Sequence, residues 1–260
     1  MNRRTVLQFL ATSALALAAL GAHADVLDTV KKSGTLRVAV PQDFPPFGTV
    51  GPDLKPRGYD IDVAALIAKE LGVKLELIPV TSTNRIPYLT TGKADLVISS
   101  LGKNPDREKV IDFSEPYAPF FNGVFGPTEA KIAGAGDLAG KTVGVTRGAV
   151  EDLELSKIAP ASATIKRFED NNATLSAYLS GQVQLVATGN VVAAALNERT
   201  KLRRIDAKFL IKNSPCYVGA NKGEIALLTR VNDIIAKARK DGALNEISQR
   251  WLHAPLPASL

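Results

Sequence analysis

Apolar and polar residues alternate along Thr35-Leu-Arg-Val-Ala-Val40, and the run is rich in β-formers, so it predicts a first strand. A short helix precedes it, from Val26-Leu-Asp-Thr-Val30 to a stop at Gly34. The strand runs into Pro41-Gln-Asp-Phe-Pro-Pro-Phe47, where prolines end it and hold two aromatics in a stiff loop. Phe44 and Phe47 there read either as core or as the lining of a cleft. Over residues 58–71 apolar positions recur at the helical period, at Ile61, Ala64, Ala65, Ala68 and Leu71. Asp60 near the start and Gly72 past the end fit a helix, which makes Asp60 and Asp62 capping and dipole residues rather than catalytic acids. Residues 73–78 alternate as a second strand, and residues 84–92 form a short helix stopped by glycine. Leu96-Val97-Ile98 is then a buried strand that breaks into Ser99, Ser100, Gly102 and Asn104, with Arg107 following. Free backbone donors beside one guanidinium suit a carboxylate held bidentately. The same residues also suit a surface loop with an ordinary exposed arginine.

The second half repeats the plan of the first. Residues 114–127 are rich in Pro and Phe, poor helix material, and suit an extended crossing between two bodies. Gly140-Lys-Thr-Val-Gly-Val-Thr-Arg147 then has the rhythm of the first strand, and residues 181–190 have that of residues 92–101. Strands alternating with helices imply parallel α/β sheets, whose ligands sit outside the carboxyl ends of the strands. Two bodies with matched loops imply a ligand held between them. Residues 224–240 and 243–252 are amphipathic helices, and the tail after Pro255 is loose.

Composition narrows the chemistry. Arg3-Arg4, an apolar stretch over residues 6–20 and Ala22-His23-Ala24 form a secretory leader with cleavage after Ala24. Loss of Arg3 and Arg4 leaves 30 basic and 26 acidic residues, a balance of +4 with the lysines scattered, which does not favour nucleic acid. Cys216 is the only cysteine, so no intrachain disulfide forms. After cleavage His253 is the only histidine, which excludes a multi-histidine metal site and a choice of His-based triads.

Gly34-Thr-Leu-Arg-Val-Ala-Val, Asp43-Phe-Pro-Pro-Phe, Gly58-Tyr-Asp-Ile-Asp-Val-Ala, Asp106-Arg-Glu-Lys-Val-Ile-Asp-Phe-Ser-Glu-Pro-Tyr117 and the segment 231–252 resemble, in order, the bacterial extracellular solute-binding proteins of polar amino-acid ABC transporters. The resemblance implies an α/β, two-lobed periplasmic binding protein fold of type II, each lobe a mixed sheet flanked by helices, joined by two hinge strands. Lobe 1 would comprise residues 25–120 and 218–260, and lobe 2 residues 121–217, with crossings near 119–123 and 213–217. It implies that Arg107 binds the ligand α-carboxylate beside Ser100 and the backbone of Gly102, where many members carry Ser. Phe44 and Phe47 would flank the ligand, and Arg85 would face its side chain. Pro41, where members for basic ligands often carry an acid, argues against lysine or arginine. Lobe 2 departs from the family pattern. Asn190 stands where most members have the Asp that pairs with the ligand ammonium, Ala149 and Val150 replace a Thr pair after Gly148, and Arg147 adds a positive charge. Three arginines and no obvious acid favour an acidic or polar amino acid, with an amine-lacking organic acid as the competitor. The expectation is a monomeric, non-enzymatic periplasmic receptor, without metal or cofactor, that feeds an inner-membrane permease. An enzyme resembling the periplasmic dehydratases would need a poised acid or base, and residues 185–197 offer no ionisable group.

Overall fold

The computed structural model describes residues 25–258 and 260, so the leader lies outside the described residues. In chain order the first body contains α1 (Val26–Ser33), β1 (Thr35–Pro41), the short strands β2 (Asp43–Phe44), β3 (Gly48–Val50) and β4 (Pro56–Arg57), α2 (Tyr59–Leu71), β5 (Lys74–Val80), α3 (Arg85–Thr90), β6 (Leu96–Leu101), α4 (Pro105–Glu108) and β7 (Ile111–Ala118). The second contains β8 (Phe121–Gly126), a 3-10 turn (Ala135–Leu138), β9 (Thr142–Thr146), α5 (Val150–Ile158), β10 (Thr164–Phe168), α6 (Asn171–Leu179), β11 (Leu185–Gly189), α7 (Asn190–Arg199) and β12 (Asp206–Asn213). The chain then returns to the first body with β13 (Cys216–Asn221), α8 (Ile225–Lys240) and α9 (Ala243–Leu252).

The two main sheets have the same plan. One runs β5-β1-β6-β13-β7 and the other β10-β9-β11-β8-β12. In each, three strands are parallel and the fourth is antiparallel to its neighbours. That fourth strand, β13 or β8, is the one the chain enters on arriving from the other body. The chain therefore passes between the sheets twice, at residues 119–120 and 214–215, and the Ser214 N–H donates to the Phe120 carbonyl at 2.9 Å, binding the two crossings together.

Helices cover the sheets because their apolar stripes require burial. Ile61, Ala64 and Ala68 of α2 and Val231, Ile234, Ile235 and Ala238 of α8 pack on Leu36, Val38, Leu96 and Ile98. A separate core of Val124, Val143, Val145, Leu155, Leu185 and Ala187 fills the second body. Strand β6 runs beyond the expected Ile98, through Ser99 and Ser100 to Leu101, because β13 supplies a partner from the far end of the sequence. Helices α5 and α6 bury polar residues, among them Glu151, Asp152, Asn171 and Thr174, so an apolar period does not mark them.

Asp60 ties three elements at the cleft floor. Its carboxylate accepts from the Tyr117 hydroxyl at 2.6 Å, the Ser100 N–H at 2.7 Å and the Ser100 hydroxyl at 3.1 Å. Burial raises its pKa to about 7 against the pull of these donors. Tyr117→Phe removes one donor from a buried acid and is expected to cost about 1–3 kcal/mol in urea unfolding. The loss should be larger above pH 7, where Asp60 is ionised, than at pH 5. An equal loss at both pH values would contradict this account of Asp60.

Candidate functional site

The carboxyl ends of β1 and β6 face the amino-terminal ends of α5 and α6 across a cleft. Its wall is formed by Phe44, Arg85, Ser99 and Ser100 of the first body, Phe120 and Ser214 of the crossings, and Asn122, Ala149, Val150, Glu151 and Asn171 of the second. Among the described residues, three buried polar side-chain atoms have no hydrogen-bond partner: Arg85 Nε, Asn122 Oδ1 and Ser214 Oγ. All three residues line this cleft.

Arg107 is neither a surface arginine nor a free clamp. It is 5 % exposed, and its guanidinium donates to the Gly102 carbonyl at 2.6 Å and to the Gly148 carbonyl of the second body at 2.9 Å. Asn104 caps α4 and accepts the Arg107 N–H, which fixes where the side chain starts. Burial, with the like charge of Arg85 second, lowers the Arg107 pKa to about 9, still well above neutrality. Arg85 donates to the Ser99 carbonyl and keeps Nε for the cleft. Ser100 lines the cleft, but its N–H and hydroxyl are both engaged by Asp60.

The backbone explains the departure at Gly102. A Cβ there would run into Ser214 Oγ and lie 2.7 Å from Val150 Cγ2. The hydroxyl missing at 102 is thus replaced by one from the second crossing. Gly148 has φ +73, a conformation that favours glycine, and it sits against the backbone of Ser82 and Thr83 from the other body. Phe44 lines the cleft, whereas Phe47 is fully buried behind it, with ring centroids 6.0 Å from Phe44, 5.7 Å from Tyr59 and 5.3 Å from Phe120.

Two expected site residues lie elsewhere. Arg147 pairs with Glu169 at 2.9 Å, its side chain 45 % exposed, because the αL turn at Gly148 directs the preceding residue outward. Asn190 opens α7, where its Oδ1 accepts the Phe121 N–H at 3.2 Å, and it borders a different depression lined by Phe125, Phe209 and Leu210. At the end of β11 the residue nearer the cleft is Gly189, and the Phe120 ring fills the space a Cβ there would need.

An acid is nevertheless present. Glu151, 4 % exposed in the first turn of α5, lines the cleft with Arg85 and Arg107 as its nearby positive charges. Burial raises its pKa to about 7. Asp43 lines the cleft too, and its carboxylate accepts the Asn171 backbone and side-chain N–H groups at 2.7 and 3.0 Å, joining the bodies. Its pKa is also raised, chiefly by burial.

The sequence profile of the bacterial extracellular solute-binding proteins, family 3, matches residues 36–254. The chain belongs to this family. The L-cystine-binding protein TcyJ of Escherichia coli (strain K12) is 28 % identical over 260 residues, covering 98 % of this chain and 97 % of that protein. The crystal structure of the solute receptor for L-cysteine of Neisseria gonorrhoeae superposes with a TM-score of 0.82 at 28 % identity, over 87 % of this chain and 93 % of that one. The ancestral amino acid-binding protein AncCDT-1, a precursor of cyclohexadienyl dehydratase, gives a TM-score of 0.79 at 32 % identity, over 88 % and 99 %. The fold of this family 3 protein is that of the type II periplasmic binding proteins, mixed sheets flanked by helices.

Sequence reasoning missed Glu151, Asn122 and Ser214. Glu151-Asp152 at a helix start reads as an ordinary pair of dipole residues. Asn122 left a faint signal, as the lone polar residue on the strand face it shares with Phe120 and Val124.

The raised acid has a measurable consequence. Because the folded state holds the Glu151 proton more tightly than the unfolded chain does, its contribution to stability falls as pH rises from about 4.5 to about 7. Asp60 acts in the same direction. Glu151→Gln removes its share, so at pH 8 the variant should be more stable than the parent by on the order of 2–3 kcal/mol, with the difference vanishing near pH 4–5. Urea titrations across that range check it, and parallel stability curves would contradict it.

Proposed function

We propose that this family 3 protein is the periplasmic substrate-binding receptor of an amino-acid ABC transporter. It captures a polar amino acid between its two bodies and delivers it to an inner-membrane permease. The observation that supports this most is the trio of unpartnered buried atoms on one cleft. A zwitterion meets all of them: Arg85 Nε–H and the Ser214 hydroxyl can donate to a carboxylate, while Asn122 Oδ1 can accept from an ammonium. Relatives whose names give cystine and cysteine as ligands support the amino-acid class. The lobes follow the two sheets, residues 25–118 with 216–260 and residues 121–213, in place of the expected boundaries at 120 and 217, because Cys216 and Tyr217 pair with β7. They close about the crossings as a monomer, and the closed form is what the permease reads.

The charge of the cleft bears on the ligand side chain. Three arginines and no acid would favour an acidic one. Arg147 leaves that set, while Glu151 and Asp43 enter the cleft wall. Balanced charge favours an uncharged polar side chain over an acidic one.

Enzymes of this fold remain the second reading, and Glu151 is the observation in its favour. An acid with a pKa near 7 in a cleft is what general-acid catalysis needs, and one structural neighbour is a dehydratase precursor. A hydroxycyclohexadiene acid that loses water becomes aromatic, so ultraviolet absorbance would reveal turnover.

Isothermal titration against the proteinogenic L-amino acids, L-cystine, succinate and glutarate tests the receptor reading. At least one polar amino acid should bind with micromolar affinity or better, and Arg85→Ala should weaken it about 10-fold or more, as expected for loss of a charged hydrogen bond. Binding of the amine-lacking acids alone would overturn the amino-acid reading.

A further inference from the structure

We infer that Glu151, together with Asn122, forms the ammonium subsite of this protein and thereby selects amino acids over the corresponding acids that lack the amine. The inference rests on the amino-acid reading above and adds residues that the family resemblance does not supply.

The end of β11 offers the cleft nothing that could hold an ammonium. Asn190 has its oxygen committed to the Phe121 N–H, and at Gly189 the missing side chain is replaced by the Phe120 ring. An acid at position 189 would have to displace that ring, which packs on Phe44 and Phe47 at centroid distances of 6.0 and 5.3 Å. An ammonium with no acceptor in a cleft this buried would lose its hydration without compensation. A compensating acid must therefore come from another element, and α5 supplies it.

Glu151 meets the requirement on three counts. Glu151 lines the same cleft as Asn122, whose Oδ1 is unpartnered, so two different elements of the second body bring an acceptor-bearing side chain to its wall. Among the described residues no cation closes on Glu151 to ion-pair distance. Arg85 and Arg107 act on it only through space, and Arg107 directs one donor each to the Gly102 and Gly148 carbonyls. Finally, Glu151 and Arg85 line the cleft from different bodies, so a carboxylate at Arg85 Nε and an ammonium at Glu151 would give the bound ligand the polarity of a zwitterion. The neighbouring Asp152 is not a competing acceptor, because it takes the Gly148 N–H at 3.0 Å and the Arg167 Nε at 2.8 Å. Asp43 is likewise occupied, by Asn171.

The subsite couples binding to a proton. Burial holds part of the Glu151 population protonated near neutral pH, against its own backbone N–H and the charges of Arg85 and Arg107, with Asp152 adding to the rise. An arriving ammonium favours the carboxylate, so binding at pH 6.5 should expel part of a proton into solution.

The probe is the tightest amino acid of the titration panel, measured beside its deaminated counterpart: succinate for aspartate, glutarate for glutamate, glutaramate for glutamine. Glu151→Gln keeps the shape of the side chain. It should weaken the amino acid about 10-fold or more while changing the deaminated acid less than about 3-fold, and Asn122→Ala should shift the same ratio in the same direction. Titration in buffers of different ionisation enthalpy should show proton release from the parent and none from Glu151→Gln. If the parent binds an amino acid and Glu151→Gln leaves both the ratio and the proton release unchanged, the subsite is wrong and the receptor reading stands. If the parent binds no amino acid, the receptor reading fails and the subsite with it.

Discussion

The Asp60 carboxylate is the point from which the cleft is built. It reaches from the first turn of α2 into the space between β6 and β7, where Ser100 gives it two donors and Tyr117 a third. Holding Ser100 this way fixes a residue at φ 43, a strained position for a side chain other than glycine. The strand end beyond Ser100 leads to Gly102 and the Asn104 cap, which sets where Arg107 begins. The Tyr59 hydroxyl donates to the Tyr117 carbonyl, binding the edge strand to the same knot just before the chain crosses to the second body. One buried acid thus positions both a wall of the cleft and the start of a crossing.

The two bodies meet through a small set of polar contacts laid over an aromatic cluster. Arg107 reaches the Gly148 carbonyl, the Thr83 hydroxyl donates to the Arg147 carbonyl, and Asp43 takes two donors from Asn171. Gly102 lets the two bodies approach where a side chain would collide with Ser214 and Val150, and Gly148 supplies the positive φ that its turn against Ser82 and Thr83 needs. A hinge motion needs such separable contacts; the core of the second body around Val124 and Val143 is its own, while the cluster of the first body continues through Phe120 to Val192 at the crossings. Contacts of this kind compete with a ligand for the same closure, so their number bears on how readily the cleft opens.

Much of the fold was legible in the sequence, for identifiable reasons. β1, α2 and α8 carry clean alternation or helical spacing, and glycines mark the ends of α1 and α2 at Gly34 and Gly72, both in the αL conformation. The extent of β6 was not legible, because its partner β13 lies more than a hundred residues away in sequence. The site was only partly readable for a related cause. A family position states which residue stands at a place in the sequence, whereas the cleft is assembled from whichever elements the packing brings there. Arg85 and Phe44 line the cleft, Phe47 lies buried behind it, and Arg147 and Asn190 are not part of its wall. The space beside Gly102 holds the Ser214 hydroxyl, and the acid that the second body brings to the cleft wall is Glu151 of α5. Burial separates Glu151 from an ordinary dipole residue, and burial is a property of the folded chain.

The proposed ligand is a zwitterion, its carboxylate taken by Arg85 and Ser214 and its ammonium by Glu151 and Asn122. A crystal structure of the protein grown with its tightest-binding amino acid tests that most directly. The account predicts the α-carboxylate within hydrogen-bond distance of Arg85 Nε and the α-ammonium within hydrogen-bond distance of a Glu151 carboxylate oxygen and of Asn122 Oδ1. An ammonium held elsewhere, with Glu151 turned away from it, would contradict the account.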